Sequence, residues 1–228
     1  SWDGRHTSLE AQLLAPLTDP AEMANADLDA VIEKLGGHDR YVSRFGKLYG
    51  DGAPDRDSLA DALGAFVARI DEPSRFERFA AGDYDALDDE EIRGLHLFRT
   101  GAGCANCHFG PLLSDDRFHN LGLSAFGEPS QDLGRYEATG DIADAGRFRT
   151  PSLRHVSRTA PYMHSGHFAT LDAVVRFYVR GGGEVWLRNE GEANEPLRRA
   201  ASTLSPHIGP LDLDESERRA LVAFLSAL

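Results

Sequence analysis

The residues with the most specific chemistry are two cysteines and a histidine in the pentapeptide Cys104-Ala105-Asn106-Cys107-His108. Two thiols separated by two residues can add to both vinyl groups of a haem, while the imidazole that follows reaches the iron. A zinc site or a redox-active thiol pair is the alternative. However, the chain has 2 cysteines in all, with no second ligand pair at zinc spacing and no strand–helix pattern of a thioredoxin. The motif therefore predicts one covalently bound haem c, with His108 as an iron ligand.

Length and charge limit the class of protein. A chain of 228 residues can form one large domain or two small ones. Its net charge of -13 argues against nucleic acid or an anionic membrane as a partner, and favours a neutral or basic protein. No run of 18 apolar residues is present, so no membrane span is expected. Because c-type cytochromes normally receive their haem on the exported side of a bacterial membrane, we expect a periplasmic protein.

Apolar periodicity predicts helices on both sides of the motif. Before residue 84, the pattern indicates helices over 8–14, 28–35, a short stretch from Tyr41 to Leu48, and 57–70 with Asp57 as its cap. Beyond it, the pattern predicts a helix opened by Asp88 and Glu91, one capped by Thr170, and a last one opened by Asp214 and Glu217. The stretch 109–169 has little periodicity, and a loop of that length is expected to wrap a ligand.

These elements predict an all-α fold. The helix before the motif, the long loop and the closing helix indicate a cytochrome c-like haem domain over 84–228. No β-hairpin signal is present. Residues 1–83 are expected to form a separate helical segment.

Several blocks of the sequence jointly resemble the bacterial dihaem cytochrome c peroxidase superfamily, which includes MauG and MbnH. They are WDGRHTSLEAQ at 2–12, PAEM at 20–23, CANCHFGPLLSDDRFHNLGL at 104–123, GRFRTPSLRHV ending at 156, and TAPYMHSGHFATL at 159–171. Members carry two CxxCH motifs, and the first, for the peroxide-reactive haem, lies upstream of the WDGR block. The resemblance therefore implies that this is a partial chain, that 1–83 belongs to the first haem domain, and that the intact protein holds a second haem.

The sixth ligand of the iron has two main candidates. A thioether is the usual electron-transfer partner of a histidine, so residue type alone favours Met163. The resemblance implies Tyr178, seventeen residues after Pro161, where the peroxidases have a ligand Met and MauG has a Tyr. Tyr178 shares its predicted helix face with apolar residues, and a phenol that is buried there needs a partner for its hydroxyl group. The alternative to iron ligation is an ordinary core tyrosine whose hydroxyl donates a hydrogen bond to a carbonyl. His164 lies near the haem interface by resemblance and is a further candidate.

The resemblance also assigns three residues to peroxide chemistry. Trp2 matches the tryptophan between the two haems, a relay for electrons. Glu22 matches the carboxylate that moves a proton from one peroxide oxygen to the other, and Gln12 would position peroxide or water. Without the resemblance, Trp2 would be an ordinary half-buried residue, and Glu22 and Gln12 would be solvated helix residues.

A calcium site and an exit path for electrons follow from the same comparison. Thr159 and Pro161 match positions whose backbone carbonyls bind Ca²⁺ between the haems, and such oxygens suit a hard cation. MauG has a surface tryptophan two residues before its second motif, where this chain has Ala102. Any exit path must therefore differ, and Trp186 is the substitute that the sequence offers.

The resemblance implies a haem-dependent oxidoreductase that acts with H₂O₂. A phenolate ligand stabilises oxidised iron, and MauG- or MbnH-like enzymes store two oxidising equivalents as a bis-Fe(IV) state to oxidise residues of a partner protein at a distance. The first alternative is a cytochrome c peroxidase, which reduces peroxide to water with electrons from a small cytochrome or cupredoxin. The second is a single-haem electron carrier without catalysis.

Overall fold

The computed structural model describes residues 1–50, 52–70 and 72–228. It divides into two compact units: unit 1 comprises Ser1 and His6–Glu72, and unit 2 comprises Trp2–Arg5 and Pro73–Leu228. Helices dominate the described residues, and the all-α fold class is confirmed. The assignment of 1–83 and 84–228 to two haem domains stays a prediction.

Unit 1 contains four helices, and the apolar faces of three of them meet in a small core. The helices are α1 (Leu9–Thr18), α2 (Leu28–Gly36), α3 (Asp39–Tyr49) and α4 (Arg56–Val67). Its buried core consists of Leu14, Val31, Leu59 and Ala60, one or two residues from each of α1, α2 and α4. Burial of these apolar side chains is the main force that holds three short helices together.

The predicted bounds of α4 and α1 were wrong. Helix α4 begins after Asp55 rather than Asp57, because the Asp55 side chain accepts from the Ser58 amide (2.8 Å) while the Ser58 hydroxyl accepts from the Asp55 amide (3.0 Å). This reciprocal cap is a stronger start signal than a lone aspartate. The helix ends at Val67, short of residue 70. Helix α1 continues to Thr18 rather than 14 although it contains Pro16, because its last turn adds Leu17 to the apolar contacts of the core.

Unit 2 holds the remaining helices and a small sheet. The helices are α5 (Arg75–Ala80), α6 (Asp89–Arg99), α7 (Arg135–Thr139), α8 (Leu171–Val179), α9 (Glu190–Asn194), α10 (Pro196–Ser202) and α11 (Glu215–Ser226). The predicted caps of α6, α8 and α11 are confirmed: Asp88 accepts from the Glu91 amide, Thr170 from Ala173, and Asp214 from Glu217. The short helices α5, α7, α9 and α10 were not predicted.

The core of unit 2 forms where α6 crosses α11. Gly94 in α6 faces the backbone of Ala220 in α11 so closely that a Cβ at position 94 would overlap the Ala220 carbonyl. This contact brings the Phe98 and Phe224 rings to 5.2 Å between centroids in an edge-to-face arrangement. Phe76 meets Phe224 from the other side at 5.4 Å. The glycine thus sets how tightly the aromatic core closes.

Unit 2 also holds a small two-stranded sheet that the sequence analysis did not predict. Strand β1 (Phe118–Asn120) pairs antiparallel with β2 (Arg147–Arg149), so that Phe118 lies opposite Arg149 and Asn120 opposite Arg147. The strands are three residues long and far apart in sequence, too short for an alternating pattern. The rest of 109–169 is mainly irregular, as predicted. No helix in the described ranges is long and apolar enough to cross a membrane.

Candidate haem site

The two cysteines lie on a short turn directly after α6. Residues Cys104–Asn106 form a single 3₁₀ turn, which follows Gly103 in the left-handed conformation (φ +63°). Both cysteines are half-buried. Burial raises the pKa of Cys104 to about 12, and burial and the Asp115 carboxylate also raise the pKa of Cys107. Two sulfurs held on one turn and followed by a histidine suit the thioether bonds of a haem c.

His108 is oriented by its own loop. Its backbone amide donates to the Cys104 carbonyl (2.9 Å), and its Nδ1 lies 2.9 Å from the Leu113 carbonyl oxygen. With the proton on Nδ1, Nε2 carries the lone pair that binds a metal. Burial lowers the pKa of His108, which favours the neutral imidazole that ligation needs. Two neutral sulfurs and an oriented imidazole fit a haem c.

Tyr178 lies beside the attachment turn. It is half-buried near the end of α8. Burial raises the pKa of its phenol, and negative charge on Cys104 or Cys107 would raise it further. Met163 lies in the turn that the Tyr162 amide closes on the Phe168 carbonyl (2.7 Å), and it has a left-handed backbone (φ +66°). The identity of the sixth ligand stays a prediction.

The backbone around Trp2 is held in place by contacts among Gly4, Phe118, Arg135 and Arg149. We call these four residues the Trp2 clamp. The Trp2 carbonyl accepts from the Arg149 amide of β2 (2.8 Å). Arg135 Nη1 donates to the carbonyls of Asp3 (3.0 Å) and Gly4 (2.9 Å), while its guanidinium lies 4.4 Å from the Phe118 ring centroid. The segment Trp2–Arg5 is therefore anchored to the sheet and α7 within unit 2.

An aromatic stack extends from the Trp2 ring into unit 2. The Trp2 ring meets His164 edge to face, with 6.4 Å between centroids. His164 in turn stacks on Phe148 at 3.7 Å with 9° between the planes. The His164 side chain is 7% exposed, and its Nε2 lies 3.8 Å from Asp132 Oδ2. Burial lowers the pKa of His164, although Asp132 opposes the shift. The structure thus places His164 with Trp2.

The predicted peroxide residues Gln12 and Glu22 both belong to unit 1. Gln12 lies in α1, and its Oε1 accepts from the Ser1 nitrogen (2.7 Å). Glu22 is exposed in the turn after α1, where its amide donates to the Asp19 carbonyl (3.0 Å). The described contacts do not bring Gln12 and Glu22 together, and their roles stay predictions.

The predicted calcium ligands and the candidate exit residue are exposed. Thr159 and Pro161 lie on a surface turn, where the Thr159 hydroxyl donates to the Val156 carbonyl (3.0 Å). Trp186 is 75% exposed, and its carbonyl accepts from Arg198 Nη1 (3.1 Å). Arg198 is itself buried and anchors the loop that carries the tryptophan.

The structure also brings two residues to the motif that the sequence reasoning missed. Asp115 and His119 lie beside Cys107, and one ligand atom from each of the three residues falls within 4.8 Å of the others. The Asp115 Oδ2 to His119 Nε2 distance is 2.9 Å. Their signal was present in SDDRFH, inside the block that carries the motif, but nothing in the spacing indicated that the chain returns to Cys107.

Comparison with known proteins identifies relatives of this chain. Residues 1–85 match the family described as di-haem cytochrome c peroxidase. The whole chain is 37% identical to the methylamine utilization protein MauG of Methylorubrum extorquens and covers 60% of that protein. It is also 36% identical to cytochrome-c peroxidase IdrP1 of Denitromonas iodatirespirans and covers 64% of it. The chain thus spans less than two thirds of the length of these relatives.

Solved structures share the fold. A MauG-like protein associated with microbial copper homeostasis superposes with a TM-score of 0.80 at 30% identity, over 97% of this chain and 68% of that chain. The diheme peroxidase BthA from Burkholderia thailandensis E264 gives 0.73 at 25% identity, over 100% of this chain and 65% of that chain. Such relatives imply haem c at the cysteine motif. The fold, the attachment turn and the similarity over the whole of this sequence together show that this chain belongs to the di-haem cytochrome c peroxidase family.

Proposed function

We propose that this chain is part of a periplasmic, MauG-type dihaem enzyme that uses hydrogen peroxide to oxidise residues of a partner protein by long-range electron transfer. The observation that carries the proposal is Tyr178, a phenol beside the two haem-attachment cysteines. The relationship to MauG over the full chain supports it. Peroxidases are also among the relatives, so the sixth ligand is the feature that separates the two functions.

The residues of unit 2 would hold one haem. Cys104 and Cys107 would form its thioether bonds, while His108 Nε2 and the Tyr178 oxygen would be ligands of the iron. Bound haem supplies one-electron chemistry at its iron. Phenolate is a hard anionic donor that stabilises the more positive iron, so Tyr178 holds the site in its oxidised range. A thioether from Met163 would do the opposite and raise the potential.

The proposal includes a second haem, which would supply the chemistry of peroxide cleavage. Reduction of H₂O₂ takes up two electrons and two protons and releases two waters. Glu22 takes a proton from one peroxide oxygen and returns it to the departing one, and Gln12 holds the substrate by hydrogen bonding. Trp2 relays the electrons, and the partner protein is the final donor, which loses two electrons and two protons in total.

Two further features belong to the proposal. The carbonyls of Thr159 and Pro161, on their exposed turn, would bind Ca²⁺ together with ligands from the rest of the protein. The acidic charge of the chain, -13, favours a neutral or basic partner protein over nucleic acid.

The alternative function is that of a cytochrome c peroxidase. It would reduce the same peroxide with two electrons from a small cytochrome or cupredoxin, and the partner would be a carrier rather than a substrate. The identity of 36% to IdrP1 favours this candidate as directly as MauG favours the first. In this case Met163, rather than Tyr178, would bind the iron.

Replacement of Tyr178 by Phe in the full-length haem protein tests the proposal. We expect a changed absorption spectrum of the ferric haem and loss of partner oxidation, because the phenolate is gone. Tyr162→Phe is the matched control, since Tyr162 is also a half-buried tyrosine of unit 2 whose pKa burial raises; its spectrum should not change. An unchanged spectrum in Tyr178→Phe, with a changed one in Met163→Leu, would favour the peroxidase.

Haem counting tests the third possibility. Intact mass and the pyridine haemochrome of the full-length protein should give two haems. A full-length product with one haem and no reaction with peroxide would instead identify a simple electron carrier.

A further inference from the structure

A carboxylate and an imidazole lie against the haem-attachment turn, and the proposed mechanism gives them no role. Asp115 Oδ2 and His119 Nε2 are 2.9 Å apart, and the side chains are 6% and 19% exposed, respectively. Both come within 4.8 Å of the Cys107 sulfur. With a haem vinyl group bonded to that sulfur, Cys107 would be a weak metal ligand, and Asp115 and His119 would lie beside the haem attachment rather than hold a metal ion together with Cys107.

The Asp115 carboxyl group is held in its charged form. Burial alone would raise its pKa, but the Arg117 amide, the His119 ring and the Thr150 hydroxyl together hold the pKa below the usual value. The amide of Arg117 donates to Oδ1 at 3.0 Å. None of the hydrogen bonds that the structure shows to the Asp115 carboxylate comes from a lysine or arginine side chain.

The next residue offers a direct comparison. Asp116 carries the same charge, but its side chain is 60% exposed and Arg149 Nη1 pairs with it at 2.8 Å. Water and a cation therefore screen the Asp116 charge, whereas the Asp115 charge acts over a short path of low dielectric constant. The two adjacent aspartates therefore differ mainly in how strongly the charge of each acts on the attachment turn.

We propose that the Asp115 carboxylate, held in place by His119, lowers the reduction potential of the haem bound at Cys104 and Cys107. The inference rests on the haem attachment in the proposed function. A fixed negative charge beside a redox centre stabilises the state with one more positive charge on the iron. Asp115 thus acts on the haem through its field and touches no substrate, and its effect is on which oxidation state the haem holds.

The test is a spectroelectrochemical titration of the full-length haem protein. In Asp115→Asn, the ratio of reduced to oxidised haem at a given potential should rise about tenfold, which is ~59 mV for a one-electron couple. Asp116→Asn removes the same charge one residue away and should change the ratio by less than about threefold. An Asp115→Asn protein with the wild-type potential, or equal shifts in the two variants, would overturn the inference.

A second pair of variants covers the case in which Asp115→Asn takes up no haem. His119→Lys places a fixed positive charge beside Asp115, whereas His119→Gln keeps a hydrogen-bond donor without that charge. The potential of the Lys variant should lie above that of the Gln variant, and equal potentials would count against an electrostatic role. A mass spectrum without haem at Cys104 and Cys107 would reject both the proposed function and this inference. If the haem is attached but its reduction potential does not respond to the substitutions at Asp115 and His119, this inference alone is rejected.

Discussion

The Trp2 clamp predicts a large local effect from one added methyl group. Gly4 has φ +66°, and a Cβ there would overlap the Phe118 ring and approach Arg135 Nη1 at 2.8 Å. Alanine in the left-handed region costs about 1 kcal/mol, and overpacking adds about 2 kcal/mol. The docked segment Trp2–Arg5 should therefore open more easily by ~3 kcal/mol in Gly4→Ala.

The amide of Arg149 reports on this opening, because it donates to the Trp2 carbonyl at 2.8 Å. Since each 1.4 kcal/mol is a factor of ten, hydrogen exchange at Arg149 should accelerate roughly 100-fold in the full-length protein. Mass spectrometry of a peptide that contains Arg149 measures this rate. Amides within α11 should exchange at the wild-type rate, since α11 takes no part in the clamp.

Gly140→Ala is the matched control for backbone strain. Gly140 has φ +69°, and nothing lies within 4 Å of a Cβ built there. It therefore carries the conformational cost without the overlap, and Arg149 exchange should change little. If Gly4→Ala and Gly140→Ala accelerate Arg149 exchange equally, the reasoning that close packing holds the Trp2 segment is refuted.

Two further predictions concern stability, and each is checked by denaturant unfolding. Gly94→Ala should destabilise unit 2 by about 2 kcal/mol, because the overlap with the Ala220 carbonyl costs ~3 kcal/mol and the helix propensity of alanine recovers ~1 kcal/mol. The control is Gly64→Ala in α4, where a Cβ has space and the protein should become slightly more stable. Equal effects of the two substitutions would contradict the packing argument. Burial raises the pKa of Glu77, but the hydrogen bonds from Arg154 (2.7 Å) and the Ser74 amide outweigh it and hold the pKa below its ordinary value. A carboxyl group whose pKa is lowered on folding stabilises the fold at pH values above its unfolded-state pKa. This stabilisation is lost as the pH falls through the folded-state pKa. Glu77→Gln should therefore cost about 1–2 kcal/mol at pH 7 and much less near pH 3; a constant difference would show that charge is not involved.

Local signals in the sequence were sufficient for the long helices and for the attachment turn. The caps at Asp88, Thr170 and Asp214 act within three residues, so the sequence carries all the information that they need. The CxxCH spacing is equally local. Helix α4 shows the limit of this approach, because Asp55 and Asp57 are both acceptable caps, and the deciding hydrogen bond comes from Ser58.

Contacts between distant segments were out of reach of the same reasoning. The pairing of β1 with β2 depends on backbone hydrogen bonds that any residue can make, so three-residue strands leave no pattern. Asp115 and His119 meet Cys107 because the irregular chain after the motif turns back on itself, and no periodicity describes that path. The Trp2–His164–Phe148 stack joins segments more than a hundred residues apart, and only the resemblance singled out Trp2 and His164.

The division of the chain has a consequence for how relatives can vary in length. Trp2–Arg5 belongs to unit 2, and the chain returns to unit 2 at Pro73. The stretch His6–Glu72 is therefore a long insertion whose two ends are both attached to unit 2. The entropy lost by closing such a loop grows only with the logarithm of its length, by about 0.6 kcal/mol for each doubling. Insertions or deletions in the surface loops of that stretch should therefore leave the Trp2 anchor in place. Length variation among homologues should concentrate there, while the Trp2–Arg5 segment keeps its length.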